Sequence, residues 1–189
     1  MNPPLSLENL IAQGESQTIE FKRSLRLRRE GLEALCGMIN TDVAHGTVIF
    51  GVENSGSVCG IEQGNLDKAQ RTISQTIDSR FDPPITAEIV IDDLNDRQIL
   101  IIKAERSRNV PYHKYDGRAW IRQGTETRRL SFFQKQQLER RRNRDLHPGP
   151  WKCNRCGTMV GQLLSFETTN EVMVKTYSCK CGGEFWPII

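Results

Sequence analysis

The chain lacks any apolar run long enough to cross a membrane, and its first residues, MNPPLSLENL, lack the charged and apolar regions of a secretion signal. It has no G-x4-G-K-S/T sequence, which excludes P-loop nucleotide hydrolysis. Aromatic residues are few, at 7% of the chain, and no stacking platform for bases stands out among them. Tyr112 and Trp120 fall in predicted strands and Trp151 and Trp186 in the C-terminal segment, so packing is the simpler role for these rings.

Positive charge is small in total and concentrated in two places. The formal net charge is +3, yet residues 122–145 carry eight Lys/Arg against three Asp/Glu. Clustered guanidinium groups favour contact with phosphates, although a solvated helix face explains either run alone equally well. The second basic run follows the first predicted strand and consists of Lys22, Arg23, Arg26, Arg28 and Arg29.

Four cysteines near the C-terminus form two close pairs, Cys153 with Cys156 and Cys179 with Cys181, and each pair is followed by glycine. This pattern is typical of a zinc ribbon, in which four thiolates close a tetrahedron around one Zn²⁺. Such a site is structural because no coordination position is open. The alternative of two disulfides requires a strained bridge within each pair, and we expect a reducing, cytoplasmic location.

The order of predicted elements indicates an α+β protein, in which a mixed β-sheet with flanking helices precedes a small β zinc ribbon. We expect a main domain over residues 1–143, a linker over 144–150 and the ribbon over 151–189. Ser6 caps the first predicted helix, and apolar residues at helical spacing predict three more. The predicted helices cover 7–12, 29–40, a segment after Asn65 and a segment after Ser131. The predicted strands cover 18–22, 47–52, 58–61, 86–91 and 98–104, with a strand pair within 112–122.

Three segments, in order, carry a family resemblance: GESQTIEFKRSL, ALCGMINTDVAHGTVIFGVENSGSVCGI and GRAWIRQGTETRRLS. Together they resemble the Schlafen AlbA-like domain, which has long been described as DNA-binding, over roughly residues 5–140. The resemblance implies nucleic-acid binding and, as in the nuclease-active Schlafen proteins, metal-dependent cleavage of tRNA and rRNA. It also implies an acidic triad, whose positions here are Glu15, Glu20 and Asn54, with Glu53 before the last.

Clustered carboxylates repel one another, and a divalent cation such as Mg²⁺ or Mn²⁺ relieves that repulsion and can polarise a phosphoryl oxygen. We expect Glu20 on the solvent face of its strand and Glu15 in the preceding turn. The alternative is that both are ordinary surface acids. Asn54 offers a carbonyl oxygen without charge, whereas Glu53 carries charge but faces the other side of a regular strand.

Several basic residues are candidates for phosphate contact. Lys22 follows Glu20 on the same face, so it can hold the scissile phosphate or form a salt bridge with Glu20. Arginines on both sides of Gly124 can clamp phosphates, with help from the amides of that loop. The candidates for nucleic-acid binding are Arg23, Arg26, Arg28, Arg122, Arg128 and Arg129.

Two hypotheses of function follow. The first is a metal-dependent endoribonuclease of Schlafen type that acts on structured RNA such as tRNA, with RNA favoured over DNA. The second is a non-catalytic DNA- or RNA-binding module or transcriptional regulator, in which the acids no longer work. Schlafen cores place two related lobes in tandem, and this chain has one, so the resemblance implies a homodimer.

Overall fold

The computed structural model describes residues 6–61, 66–107, 110–146, 151–153, 155, 159–160 and 185–187. The chain divides into two compact units, Met1–Gln136 and Gln137–Ile189. Among the helices in these ranges, none is long and apolar enough to cross a membrane.

The first unit contains helices and strands in an irregular order. The helices are α1 (Leu7–Ala12), a 3-10 helix (Leu25–Leu27), α2 (Arg28–Ile39), α3 (Leu66–Arg80) and α4 (Phe132–Leu146), which begins in this unit. The strands are β1 (Ile19–Lys22), β2 (His45–Phe50), β3 (Phe81–Asp82), β4 (Ala87–Leu94), β5 (Arg97–Glu105), β6 (Lys114–Tyr115), β7 (Arg118–Gln123) and β8 (Glu126–Arg129).

These strands form two four-stranded sheets. The first has the order β1-β2-β5-β4, with β1 parallel to β2 and the other pairs antiparallel. The second has the order β3-β6-β7-β8 and is antiparallel throughout. The predicted α+β fold with a mixed sheet and flanking helices is therefore confirmed.

Helix α2 contacts both sheets. A Cβ added at Gly31 would lie 2.8 Å from the ring of Phe50 in β2, and one added at Gly37 would lie 3.2 Å from the backbone of Ile121 and Arg122 in β7. Glycine at these two positions lets the helix approach the first sheet on one side and the second on the other. Most of α2 is consequently buried.

Both faces of the first sheet are covered. Val48, Phe50, Leu100 and Ile102 belong to the main core with α2, as alternate residues of their strands. Their neighbours in sequence, Ile49 and Ile101, form a second core with Phe21 of β1 and Ile11 of α1. Strand β1 therefore has no face that is open to solvent along its length.

Local signals in the sequence located most elements to within two residues. Ser6 caps α1 by accepting a hydrogen bond from the Asn9 amide at 3.3 Å. Asn95 and Asp96 turn β4 into β5 with positive φ angles of 53° and 58°. The predicted strand over 58–61 is wrong, because this segment contributes only an isolated bridge between Val52 and Val58. Residues 126–129, for which no strand was predicted, form β8.

The second unit contains a small antiparallel sheet among its described residues. Its strands β9 (Trp151–Cys153), β10 (Met159–Val160) and β11 (Phe185–Pro187) have the order β10-β9-β11. Cys153 is buried at the end of β9. The other three cysteines, Cys156, Cys179 and Cys181, lie outside the described residues, so the zinc ribbon stays a prediction.

A buried polar cluster connects α2 to the segment before β6. The amide group of Asn40 donates to the carbonyls of His113 and Trp120 at 2.8 Å each, and its oxygen accepts from the His113 amide at 2.7 Å. The His113 ring donates from Nδ1 to the Pro83 carbonyl at 2.8 Å and accepts at Nε2 from the Ser107 amide at 3.3 Å. Only a neutral imidazole can make both contacts.

His113 should therefore make the fold sensitive to acid. Burial lowers the pKa of His113 below its usual 6.5, and nearby Arg106 lowers it further. The unfolded chain then binds the proton more readily, so the free energy of unfolding falls as pH drops below about 6.5. NMR titration of the ring proton, assigned with the His45→Gln and His147→Gln variants, should give His113 a pKa below the usual 6.5. A His113 ring that titrates above 6.5 would contradict this.

Candidate nucleic-acid interface

Glu20 lies inside the protein. The residue is 8% exposed, and its carboxylate forms an ion pair with Lys22 through Oε1 and with Arg122 through Oε2, the latter at 2.6 Å. The expectation that Glu20 faces solvent is wrong, because α2 packs on β1 and the Arg122 side chain of β7 covers the Glu20 carboxylate. Lys22 was expected either to hold a phosphate or to form a salt bridge with Glu20. In the structure it forms the salt bridge.

Arg122 is a structural side chain of the interior. It is 1% exposed and donates from Nε to the Ser16 carbonyl at 2.9 Å, from Nη2 to the Ile19 carbonyl at 3.3 Å and from Nη1 to Thr127 Oγ1 at 3.2 Å. The prediction that placed it in a surface patch is wrong, since these acceptors enclose the guanidinium. Its contact with Glu20 is a close ion pair and not an aligned hydrogen bond, because Oε2 has no hydrogen-bond partner in the described part of the chain.

The turn at Gly124 is also engaged by the protein. Gln17 accepts from the Gly124 amide at 2.9 Å and donates to the Arg122 carbonyl at 3.2 Å. The Gly124 amide is therefore not available to a phosphate. The turn joins β7 to β8, which places Arg128 and Arg129 on an exposed edge strand.

Glu15 does not meet the other predicted acids at an open metal site. Its Oε1 accepts a hydrogen bond from the Phe21 amide at 3.0 Å, which fixes the turn that leads into β1. Among the described residues, no group of three or more His, Cys, Asp or Glu side chains is arranged to hold a metal ion. Glu15 is engaged by a backbone amide and Glu20 by Lys22 and Arg122, so these two carboxylates are not arranged as ligands for a catalytic Mg²⁺ or Mn²⁺ here.

Two adjoining depressions mark the surface at the end of β1. They have volumes of about 420 and 500 Å³ and share Arg23, Leu27 and Glu53. Glu53 and Asn54 are exposed in a turn that the Gly56 amide closes by donating to the Glu53 carbonyl at 2.8 Å. The remaining residues along the two depressions are Phe21, Lys22, Glu30 and Asn54 in the first, and Ser24, Arg26, Cys59 and Gly60 in the second.

The surface around these depressions carries both signs of charge. Arg23 and Arg26 are exposed and can reach phosphates, whereas Glu30 and Glu53 supply two carboxylates. The structure thus brings together five residues of the predicted site, namely Lys22, Arg23, Arg26, Glu53 and Asn54. Arg28 is exposed in a separate depression, beside Leu25 and Lys68.

The family described as Schlafen, AlbA_2 matches residues 15–131, which is more than half of the chain. The chain belongs to this family. Membership supports a role that involves nucleic acid. Among curated proteins, none matches the sequence significantly.

Two solved structures are similar to this Schlafen AlbA_2 chain. The DIP2311 protein from Corynebacterium diphtheriae is 17% identical over 66% of this chain, with a TM-score of 0.49, and the match spans 24% of that protein. The N-terminal domain of a protein related to the ATP-dependent DNA helicase RecG, from Nitrosomonas europaea, is 19% identical over 70% of this chain and 95% of that chain, with a TM-score of 0.48. We draw no functional conclusion from either likeness.

Glu30 and Cys59 line the depressions and are not among the site residues predicted from the sequence. Glu30 lies in the first turn of a core helix, directly after a basic run, and an acid at such a position is itself a signal. Cys59 is half-buried and donates from Sγ to the Arg23 carbonyl at 3.4 Å. This contact holds the loop of the Schlafen AlbA_2 domain that carries the basic residues.

Replacement of Arg122 should destabilise the domain strongly. Arg122→Met removes the partner of a buried carboxylate, and we expect a loss of about 3–5 kcal/mol in the free energy of unfolding. The matched control is Arg128→Met on β8, whose exposed guanidinium pairs with exposed Glu126 and whose loss should leave the unfolding midpoint nearly unchanged. Urea denaturation of the two variants makes the comparison, and equal midpoints would contradict the buried role of Arg122.

Proposed function

We propose that this Schlafen AlbA_2 domain is a non-catalytic nucleic-acid-binding module that prefers structured RNA such as tRNA over DNA. The observation that carries the proposal is that the Glu20 carboxylate is buried and paired. Its charge is already balanced by Lys22 and Arg122 in a buried site, so it has no capacity left for a metal ion. Under this proposal both family acids before Phe21 have structural roles. Glu15 accepts a hydrogen bond from a backbone amide, and Glu20 pairs with Arg122.

Binding itself is assigned to the exposed arginines around the depressions. Arg23 follows β1 directly and Arg26 lies in the 3-10 helix, so both project from a short backbone segment that Ser24 orders by accepting from the Arg26 amide at 3.2 Å. Guanidinium groups suit phosphate oxygens because they donate two parallel hydrogen bonds. The nearby carboxylates of Glu30 and Glu53 repel phosphates, so they would limit non-specific binding of polyanions.

The salt dependence of RNA binding tests this assignment. Each phosphate contact that is lost should reduce the slope of log K against log salt by about one. We expect the double change Arg23→Gln and Arg26→Gln to weaken binding of a tRNA pool and to lower that slope by about two. The control is Lys103→Gln at the far end of β5, which removes one positive charge away from the depressions. An unchanged slope in the double variant, or the same loss in the control, would refute the assignment.

A metal-dependent endoribonuclease is the second candidate, and the arrangement of the first depression favours it. Lys22, Glu53 and Asn54, all predicted as catalytic, line this depression together with Glu30. Mg²⁺ is commonly held by one or two carboxylates together with substrate phosphates. Under this alternative the working acids would be Glu30 and Glu53, and not Glu15 and Glu20.

Incubation of the full chain with tRNA separates the two candidates. With Mg²⁺ or Mn²⁺ we expect intact tRNA that is shifted on a native gel, as in EDTA. Discrete fragments that require the metal and disappear in Glu53→Gln, but persist in the control Glu88→Gln, would overturn the non-catalytic proposal. Fragments that persist in Glu53→Gln would indicate a contaminating nuclease.

The proposal also includes a homodimer and a structural Zn²⁺ held by Cys153, Cys156, Cys179 and Cys181. The dimer would supply a second lobe for an extended RNA. The zinc would stabilise a C-terminal unit too small to bury a large core. A monomer that binds RNA fully would contradict the homodimer. A C-terminal unit that stays folded after the metal is removed would contradict the structural zinc.

A further inference from the structure

Two phenylalanines at the start of α4 are unusually exposed. Phe132 is 76% exposed and Phe133 is 63% exposed, and within the described residues the only other exposed large apolar side chain is Val43, at 48%. Single exposed apolar residues are common on protein surfaces. Two exposed phenylalanines at the start of one helix are different, because together they leave more apolar surface in solvent than a scattered single residue does.

The backbone beneath these rings is fixed. Ser131 Oγ accepts from the Gln134 amide at 3.2 Å, and the Gln134 side chain accepts from the Ser131 amide at 2.9 Å, which is a capping box. Leu130, just before, is buried and donates from its amide to the Ala119 carbonyl at 2.9 Å. Because the start of the helix is already ordered, little backbone entropy would be lost when a ligand binds the rings.

The strand that leads to the phenylalanines carries cationic side chains. Arg128 and Arg129 are exposed on β8, immediately before Leu130. The Arg129 guanidinium lies over the Trp120 ring, 5.7 Å from its centre. The acid of this strand, Glu126, is paired with Arg128 at 2.6 Å. A ligand that suits this surface has flat π faces and negative charge.

We propose that Phe132 and Phe133 form a stacking platform for the unpaired bases of single-stranded nucleic acid, with Arg128 and Arg129 contacting its phosphates. The proposal rests on the nucleic-acid-binding function above and adds to it a class of ligand. Stacking on aromatic side chains accepts any base, and nearby arginines hold the phosphate backbone. A protein partner with an apolar surface would gain from the rings but not from the positive charge.

Fluorescence anisotropy with the full chain tests the platform. The probes are a labelled unstructured RNA of about 12 nucleotides and an RNA of the same length with abasic sites at its centre. We expect the Phe132→Ala and Phe133→Ala double variant to bind the first RNA roughly tenfold more weakly than wild type. Wild type should bind the abasic RNA more weakly than the intact RNA by a similar factor. The double variant should bind the two RNAs with nearly equal affinity, since removing the rings and removing the bases abolish the same contact.

Two further variants separate stacking from apolar burial. The Phe132→Leu and Phe133→Leu double variant keeps apolar area but lacks a π face, so it should bind nearly as weakly as the alanine variant. The control Val43→Ala should bind as wild type does. The salt dependence should be unchanged in all phenylalanine variants, because no phosphate contact is removed.

The outcomes distinguish this inference from the function on which it rests. If wild type binds the RNA and the alanine variant binds it equally well, the platform is refuted while the binding function stands. Full affinity in the leucine variant would also refute stacking. A variant that changes from dimer to monomer in sedimentation without losing RNA affinity would make the phenylalanines a contact between copies. If wild type binds no RNA or DNA at all, both proposals fail.

Discussion

The fold of the first unit depends on the burial of one carboxylate. Glu20 lies on an edge strand that is covered on both faces, and a buried charge costs several kcal/mol unless it is paired and its partners are themselves satisfied. Arg122 meets that requirement and uses its other donors on the carbonyls of Ser16 and Ile19. The pair therefore attaches the second sheet to the edge of the first.

This constraint redistributes the roles of the family motifs. In E-x4-E-F-K and W-I-R, the charged side chains that look available for chemistry or phosphate contact are used within the protein, as Glu15, Glu20 and Arg122 show. Exposed charge lies instead on the residues that follow, such as Arg23 after β1 and Arg128 on β8. Arg122 and Arg128 belong to the same family segment, yet the first is buried and the second is exposed.

The sequence predicted local structure well because local structure has local causes. The Ser6 cap, the Asn95–Asp96 turn and the apolar spacing of α2 act within a few residues. The burial of Glu20 could not be predicted in this way. Alternation along β1 assigns a side chain to a face but does not say that a second sheet covers that face. Strand β8 could not be predicted either, because its residues do not alternate between apolar and polar. It is a strand because its backbone pairs with β7.

The phenylalanines are the converse case, because they are apolar residues that the fold leaves exposed. An apolar pair at the start of a helix is normally counted as core, and only the accessible surface of Phe132 and Phe133 indicates otherwise. Arg122 also complicates how their role is measured, because it binds the carbonyl that precedes Glu20 and contacts Thr127 on β8. Loosening Arg122 would disturb the strand before Arg23 and the strand that carries Arg128 together. Loss of RNA binding in an Arg122 variant is therefore no sign of a phosphate contact, whereas loss at unchanged stability in a surface variant is.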